Sequence, residues 1–135
     1  MIDAVLNKIK ESLDETCPFE IRFSHSYFPI PKNRPVIIID VDNICTDNAQ
    51  NEGNRKRFTL TADIWVRTYV PFKYGVSELR RIAAAYILPA MSGMECCITG
   101  FSEGNKRDKI PEGMHNLDIK FRIRGVYTAY MEVGL

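Results

Sequence analysis

Two carboxylates stand out first. The segment PVIIIDVDNICTD ends an apolar run with Asp40 and Asp42, separated by one residue. Side chains alternate along a strand, so both acids fall on the same face. One carboxylate can act as a nucleophile and a second as a general acid beside a bound Mg²⁺ ion, which is the equipment for phosphoryl transfer. The rest of that equipment is missing. After Thr99 only 36 residues remain, and Asp118 is the one acid near the start of the final strand, with no carboxylate beside it. His25 and His115 are far apart in predicted loops, and no GxSxG, Walker A, GxGxxG or HExxH signature occurs.

Other residues of chemical interest fall into three groups. Basic residues gather at Arg55, Lys56 and Arg57, at Lys106, Arg107 and Lys109, and on alternate positions Lys120, Arg122 and Arg124. A basic stripe with strand-borne aromatics could hold nucleic acid, but solvated faces and cross-strand ion pairs are the commoner use of such residues. The aromatics Trp65, Tyr69, Tyr127 and Tyr130 sit on strands where they could pack a sheet or meet a neighbour. Cys17, Cys45, Cys96 and Cys97 match neither a zinc ribbon nor a CxxC pair. Neighbours on a strand, Cys96 and Cys97 point to opposite faces. Free thiols in a reducing cytoplasm are the expectation, with no metal and no cofactor.

The elements that would position these groups follow from periodicity. Ile2, Val5, Leu6, Ile9 and Leu13 mark an amphipathic helix that must stop by Pro18. Phe19, Ile21 and Phe23 make a short strand, and SHSYFPIPKNRP is a proline-bearing loop. VIIIDVDNI reads as a central strand, and CTDNAQNEGN (45–54) as a polar loop. The clearest alternation follows. Phe58, Leu60, Ala62, Ile64, Val66 and Val70 share one face, and Thr59, Thr61, Asp63, Trp65, Arg67 and Tyr69 the other. A second helix is predicted over Val76 to Ser92, capped by Ser77 or Gly75, disturbed by Pro89, and closed by a left-handed Gly93. A short strand, Glu95 to Phe101, a charged loop, Ser102 to Asn116, and a long strand from Leu117 complete the chain, with a bulge or bend expected at Gly125.

The expected fold is a single α+β domain over residues 1–135, an antiparallel or mixed sheet flanked by two helices in the order α-β-β-β-α-β-β. With 18 Lys plus Arg against 17 Asp plus Glu, the net charge of +1 demands no nucleic-acid, membrane or acidic partner. The N-terminus lacks the apolar run of a signal peptide, and no stretch approaches the roughly 18 apolar residues of a membrane span. One length is awkward. A final strand of about 15 residues is ~50 Å long if straight, whereas a compact domain of this size is only ~37 Å across. It must bend, at Gly125 for instance, or overhang as a ribbon that another subunit covers.

Two family resemblances follow. PVIIIDVDN with the later Cys97-Ile98-Thr99-Gly100 resembles the first two motifs of haloacid-dehalogenase phosphatases, though Asn43 replaces the usual Gly and the parallel Rossmann-like context is not predicted. The whole chain resembles the tail-terminator and tail-completion proteins of tailed phages, contractile tails and phage-tail-like bacteriocins. That likeness is carried by the order of the short amphipathic helix, the PVIII strand, FTLTADIWVRTYVP, SELRRIAAAYILPAM, CCITGF and NLDIKFRIRGVYTAY. It implies a non-enzymatic assembly protein, made in the bacterial host cytoplasm and then part of the particle. Such proteins form a hexameric ring that caps the tail tube, stops its polymerisation and offers a docking surface for sheath, neck or head. A ring of this kind can be templated by the tube, so the free subunit need not be assembled. By the same resemblance the loops 45–57 and 102–116, with Arg55, Lys56, Arg57, Lys106, Arg107 and Lys109, reach the tube or the lumen, which passes DNA only in a true phage. Trp65, Tyr69, Tyr127 and Tyr130 are then the expected subunit contacts. Another neck or head-closure protein is the nearest alternative.

Overall fold

The computed structural model describes residues 2–23, 31, 33–52, 55–103 and 113–130, with side chains of 2–5, 46–52, 55–60 and 125–130 left undescribed. The chain opens with α1 (Ile2–Thr16), whose Leu6, Ile9 and Leu13 are buried while Asn7, Lys8 and Glu11 face outward. Lys10 and Asp14, one turn apart, pair at 2.7 Å. Cys17 closes the helix with a 2.7 Å bond from its N–H to Leu13 O, and Pro18 forbids another turn.

Five strands follow: β1 (Glu20–Phe23), β2 (Val36–Glu52), β3 (Arg55–Pro71), β4 (Cys96–Glu103) and β5 (Met114–Tyr130). They form one mixed sheet in the order β1-β2-β3-β5-β4. Only β1–β2 is parallel, and the other three pairings are antiparallel. The architecture is therefore the expected α+β one.

Between β3 and β4 the chain makes a short 3₁₀ turn (Phe72–Tyr74) and then helix α2 (Val76–Ile82), with Gly75 at its N-cap in a left-handed conformation (φ 80°). From α2 it passes without a break into a π-helical stretch (Ala83–Ile87) and a last turn, α3 (Leu88–Met91). Pro89 has no N–H to give Ala85, and its ring would collide with that carbonyl. Widening the turn before it lets the helix continue to Met91 instead of ending. Gly93 is not in the left-handed region, contrary to expectation.

Both helical segments pack on one face of the sheet. Ile37, Ile39, Ala62, Ile64, Val66, Val70, Leu117, Ile119, Phe121 and Ile123 meet Leu6, Ile9, Leu13, Leu79, Ile82, Ile87 and Met91. On the opposite face a small cluster of Val36, Tyr69 and Met114 covers one end only. No described helix is long and apolar enough to cross a membrane.

Two sequence expectations fail in the strands. The segment from Cys45 to Glu52 is no loop: it continues β2, pairing with β3 from Thr61 to Arg55 with a register shift between Asp47 and Gln50. Of the bulge or bend expected at Gly125, the bulge is absent, because the β3–β5 register runs unbroken from Pro71↔Met114 to Arg55↔Tyr130. The long last strand is thus paired along its whole length. At ~3.3 Å per residue, strands of 17 residues reach ~56 Å, whereas a 15-residue helix reaches only ~22 Å. Helices of that size cannot cover the sheet. Among the described residues the core ends at Ala62 on β3 and Ile123 on β5, and β2, β3 and β5 continue beyond it as a three-stranded ribbon.

Candidate interaction surfaces

The sheet face turned away from the helices carries a ladder of matched side chains. The β3–β5 register sets Arg67 opposite Asp118, Trp65 opposite Lys120, Asp63 opposite Arg122 and Thr61 opposite Arg124. Arg67 Nη1 donates to Asp118 Oδ2 at 2.8 Å, and Arg122 Nε to Asp63 Oδ1 at 3.0 Å. Asn116 Nδ2 completes the first pair with bonds to Asp118 Oδ1 (2.8 Å) and Thr68 O (3.2 Å). Arg67 and Lys120 both lie over the Trp65 ring, 5.2 and 5.3 Å from its centroid. It reaches across β5 as far as β4, where a Cβ on Gly100 would stand 3.6 Å from Trp65 Cη2 and 3.2 Å from Lys120 Cβ. With both cations over it, the indole is already engaged and is a poor platform for a nucleic-acid base.

Asp40 and Asp42 do share this face, and each is held by a neighbouring strand. Arg67 Nη2 lies 3.5 Å from Asp40, and Lys120 Nζ lies 2.7 Å from Asp42. The hydrogen bond from Lys120 is the main force holding the Asp42 carboxyl below its ordinary range. A bulge between Val41 and Asn43 separates the two acids in register. The phosphatase frame, a parallel sheet with a helix after the first strand, is not the frame here: β2 is followed by antiparallel β3.

The remaining sequence candidates are dispersed. Tyr69 is only 4% exposed, packed with Val36 and Met114, so its side chain is spent inside its own subunit and not offered to a neighbour. This corrects its expected place among the subunit contacts. Trp65 is half-buried on the open face. Arg55, Lys56 and Arg57 occupy the tip of the ribbon, paired through the backbone with Glu52, Asn51 and Gln50 and with Tyr130, Ala129 and Thr128. Tyr127 is paired likewise with Phe58. Lys106, Arg107 and Lys109 lie outside the described residues.

Cys96 and Cys97 take opposite faces as expected. Cys96 packs against the core, donates its thiol to Met91 O at 3.3 Å and has its pKa pushed up by burial, while Cys97 is exposed. On the open face an open groove of about 750 Å³ runs past Asn43, Cys45, Thr61, Cys97, Arg122 and Arg124. Arg124, exposed, forms no ion pair among the described residues.

A further surface escaped sequence reasoning. At the β4 edge Ile98 is 51% and Phe101 59% exposed, beside Leu88 at 40%. Leu88, Met91, Met94, Cys96, Ile98 and Phe121 border a groove of about 200 Å³ there. CCITGF reads as a strand, but nothing local in it says that one side has no partner.

No protein-family profile matches the chain, and no curated protein does. One solved chain without a descriptive name aligns with a TM-score of 0.49 and 15% identity, over 94% of this chain and 98% of that one. At that level the likeness carries no weight for function.

Proposed function

We propose that the chain is a structural assembly protein of a phage or phage-like tail, a ring-forming subunit that caps the tail tube and stops its growth. The supporting observation is the ribbon formed where β2, β3 and β5 outrun the helices, with Arg55, Lys56 and Arg57 at its tip. A sheet whose strands run this far past its helices has the backbone length for contact with other subunits. The open face supports a structural role too, since its acids are engaged by Arg67, Lys120 and Arg122 rather than standing free for chemistry.

In this reading the ribbon tip meets the last ring of the tube, and the subunits associate head-to-tail, a geometry that closes rings. Assembly takes place in the bacterial host cytoplasm, and the ring then remains in the particle. The test is to mix the purified protein with a tail-tube protein from the same genome and image the tube ends. Rings of six at one end, with tubes of limited length, support the proposal. Tubes that elongate unchanged, with bare ends, overturn it.

A further inference from the structure

Among the described residues β4 is bonded to β5 on one side only and forms one edge of the sheet. Edge strands are usually protected by lysine, proline or inward-pointing charge. Cys96–Glu103, CCITGFSE, has no lysine or proline, and its single charge is the terminal Glu103. The strand instead exposes Ile98 and Phe101. In a regular strand, residues three apart face opposite sides. Here a bulge at Thr99, between Ile98↔Phe121 and Gly100↔Lys120, restores Phe101 to the side of Ile98, opposite Ile119. Two large apolar side chains therefore stand together on the helix side, next to the groove bordered by Leu88, Met91 and Met94.

We propose that this edge docks a second copy of itself. The two β4 strands pair antiparallel about a two-fold axis between Thr99 and Gly100, joining two five-stranded sheets into one. Ile98 then lies opposite Phe101 of the second copy, and each Phe101 reaches the apolar groove of the other subunit. Cys97 faces Ser102 across the axis, both on the open face. The charge pattern permits this register, because Glu103 falls opposite Cys96 and not opposite its own copy, and it remains paired with Arg80 at 3.0 Å. A slip of one residue sets Ile98 against a residue of the other face, so the register is specified by the bulge. A head-to-tail ring contains no two-fold axis. The pairing thus belongs to the free protein, independent of the tail reading, and must open before such a ring closes.

Sedimentation velocity of the full chain over a dilution series tests this. The wild-type chain should be a dimer that dissociates on dilution. Phe101→Asp and Ile98→Asp should each weaken it by at least about 30-fold, the scale of an interface hot spot. Both side chains are more than half exposed in the subunit, so circular dichroism and the melting temperature should stay close to wild type. Ser102→Cys sets a thiol opposite Cys97 of the second copy, and mild oxidation should then yield a covalent dimer that is lost when Cys97→Ser is added. A wild-type chain that stays monomeric at every concentration overturns the proposal, as does a dimer indifferent to both aspartates or unable to form the cross-link.

Discussion

Arg67 on β3 and Asp118 on β5 stand directly opposite one another, joined at 2.8 Å, and the Asp118 carboxylate is buried although it belongs to the face without helices. The guanidinium and Asn116 Nδ2 both donate to it. Breaking a buried pair by removing one partner leaves an uncompensated charge and costs about 3–5 kcal/mol. Arg67→Ala should destabilise the protein on that scale in urea unfolding. Replacing both, as Arg67→Leu with Asp118→Leu, should recover most of the loss. A double variant that loses as much as Arg67→Leu and Asp118→Leu added together would show that the pair is not coupled.

Stability should also fall in acid. The carboxyls of Asp42, Glu20 and Glu78 are held below their ordinary values of 3.8, 4.5 and 4.5, chiefly by hydrogen bonds from Lys120, Arg22 and Arg81. A depressed folded-state pKa contributes stability that is present above the unfolded value and lost as pH falls through the folded one. Urea midpoints should therefore be flat near neutrality and decline below about pH 4.5. Asp42 is exposed and Glu20 and Glu78 are half-buried near the surface, so high salt should flatten the decline. Asp42→Asn should remove part of it, and an unchanged slope in that variant would contradict the role given to Lys120.

Thr68 is fully buried in the helix-side core, and its Oγ1 has no hydrogen-bond partner among the described residues. An unsatisfied buried hydroxyl costs about 1–3 kcal/mol. Thr68→Val keeps the branched shape and removes that cost, so it should raise stability by ~1 kcal/mol. A lower melting temperature would mean that the hydroxyl is satisfied by a bound water.

Trp65 is the sole tryptophan, which makes its setting measurable. Gly100 is where its ring crosses β4, and even a Cβ there would press on Lys120 Cβ at 3.2 Å. Gly100→Val should push Lys120 and the indole aside, shifting the fluorescence maximum and costing ~1 kcal/mol. An unaltered emission spectrum would place the ring elsewhere.

These residues also show what was legible beforehand. The helix face of the sheet was readable, because Ala62, Ile64, Val66 and Val70 must alternate with polar neighbours to bury one side. Cys45 to Glu52 was not, since CTDNAQNE carries no hydrophobic period, and a polar stretch can be strand or loop. Tyr69 sits on the polar side of the alternation and is buried all the same, because Val36 and Met114 close over it. Ile98 and Phe101 look like opposite faces by count, and only the bulge at Thr99 unites them. Asp40 and Asp42 were placed correctly on one face. Their meaning came from Arg67 and Lys120, which approach from other strands.

The ribbon tip offers the last prediction. Arg55, Lys56 and Arg57 lie at the end of β3 farthest from the helix-packed core, with Glu52 and Tyr130 as the backbone neighbours of Arg55. Reversing their charge with Arg55→Glu, Lys56→Glu and Arg57→Glu should leave the melting temperature within a few degrees, because substitutions at a strand end away from the helix-packed core usually change stability little. If the tip meets the tube, the triple variant should fail to cap tube ends under conditions where the wild type does. The Phe101→Asp variant, altered at the β4 edge, should still cap, because the edge-to-edge dimer must open for the ring to form. Capping by the triple variant at wild-type efficiency would move the tube contact away from the ribbon. Loss of capping in Phe101→Asp alone would place the ring contact at the β4 edge instead.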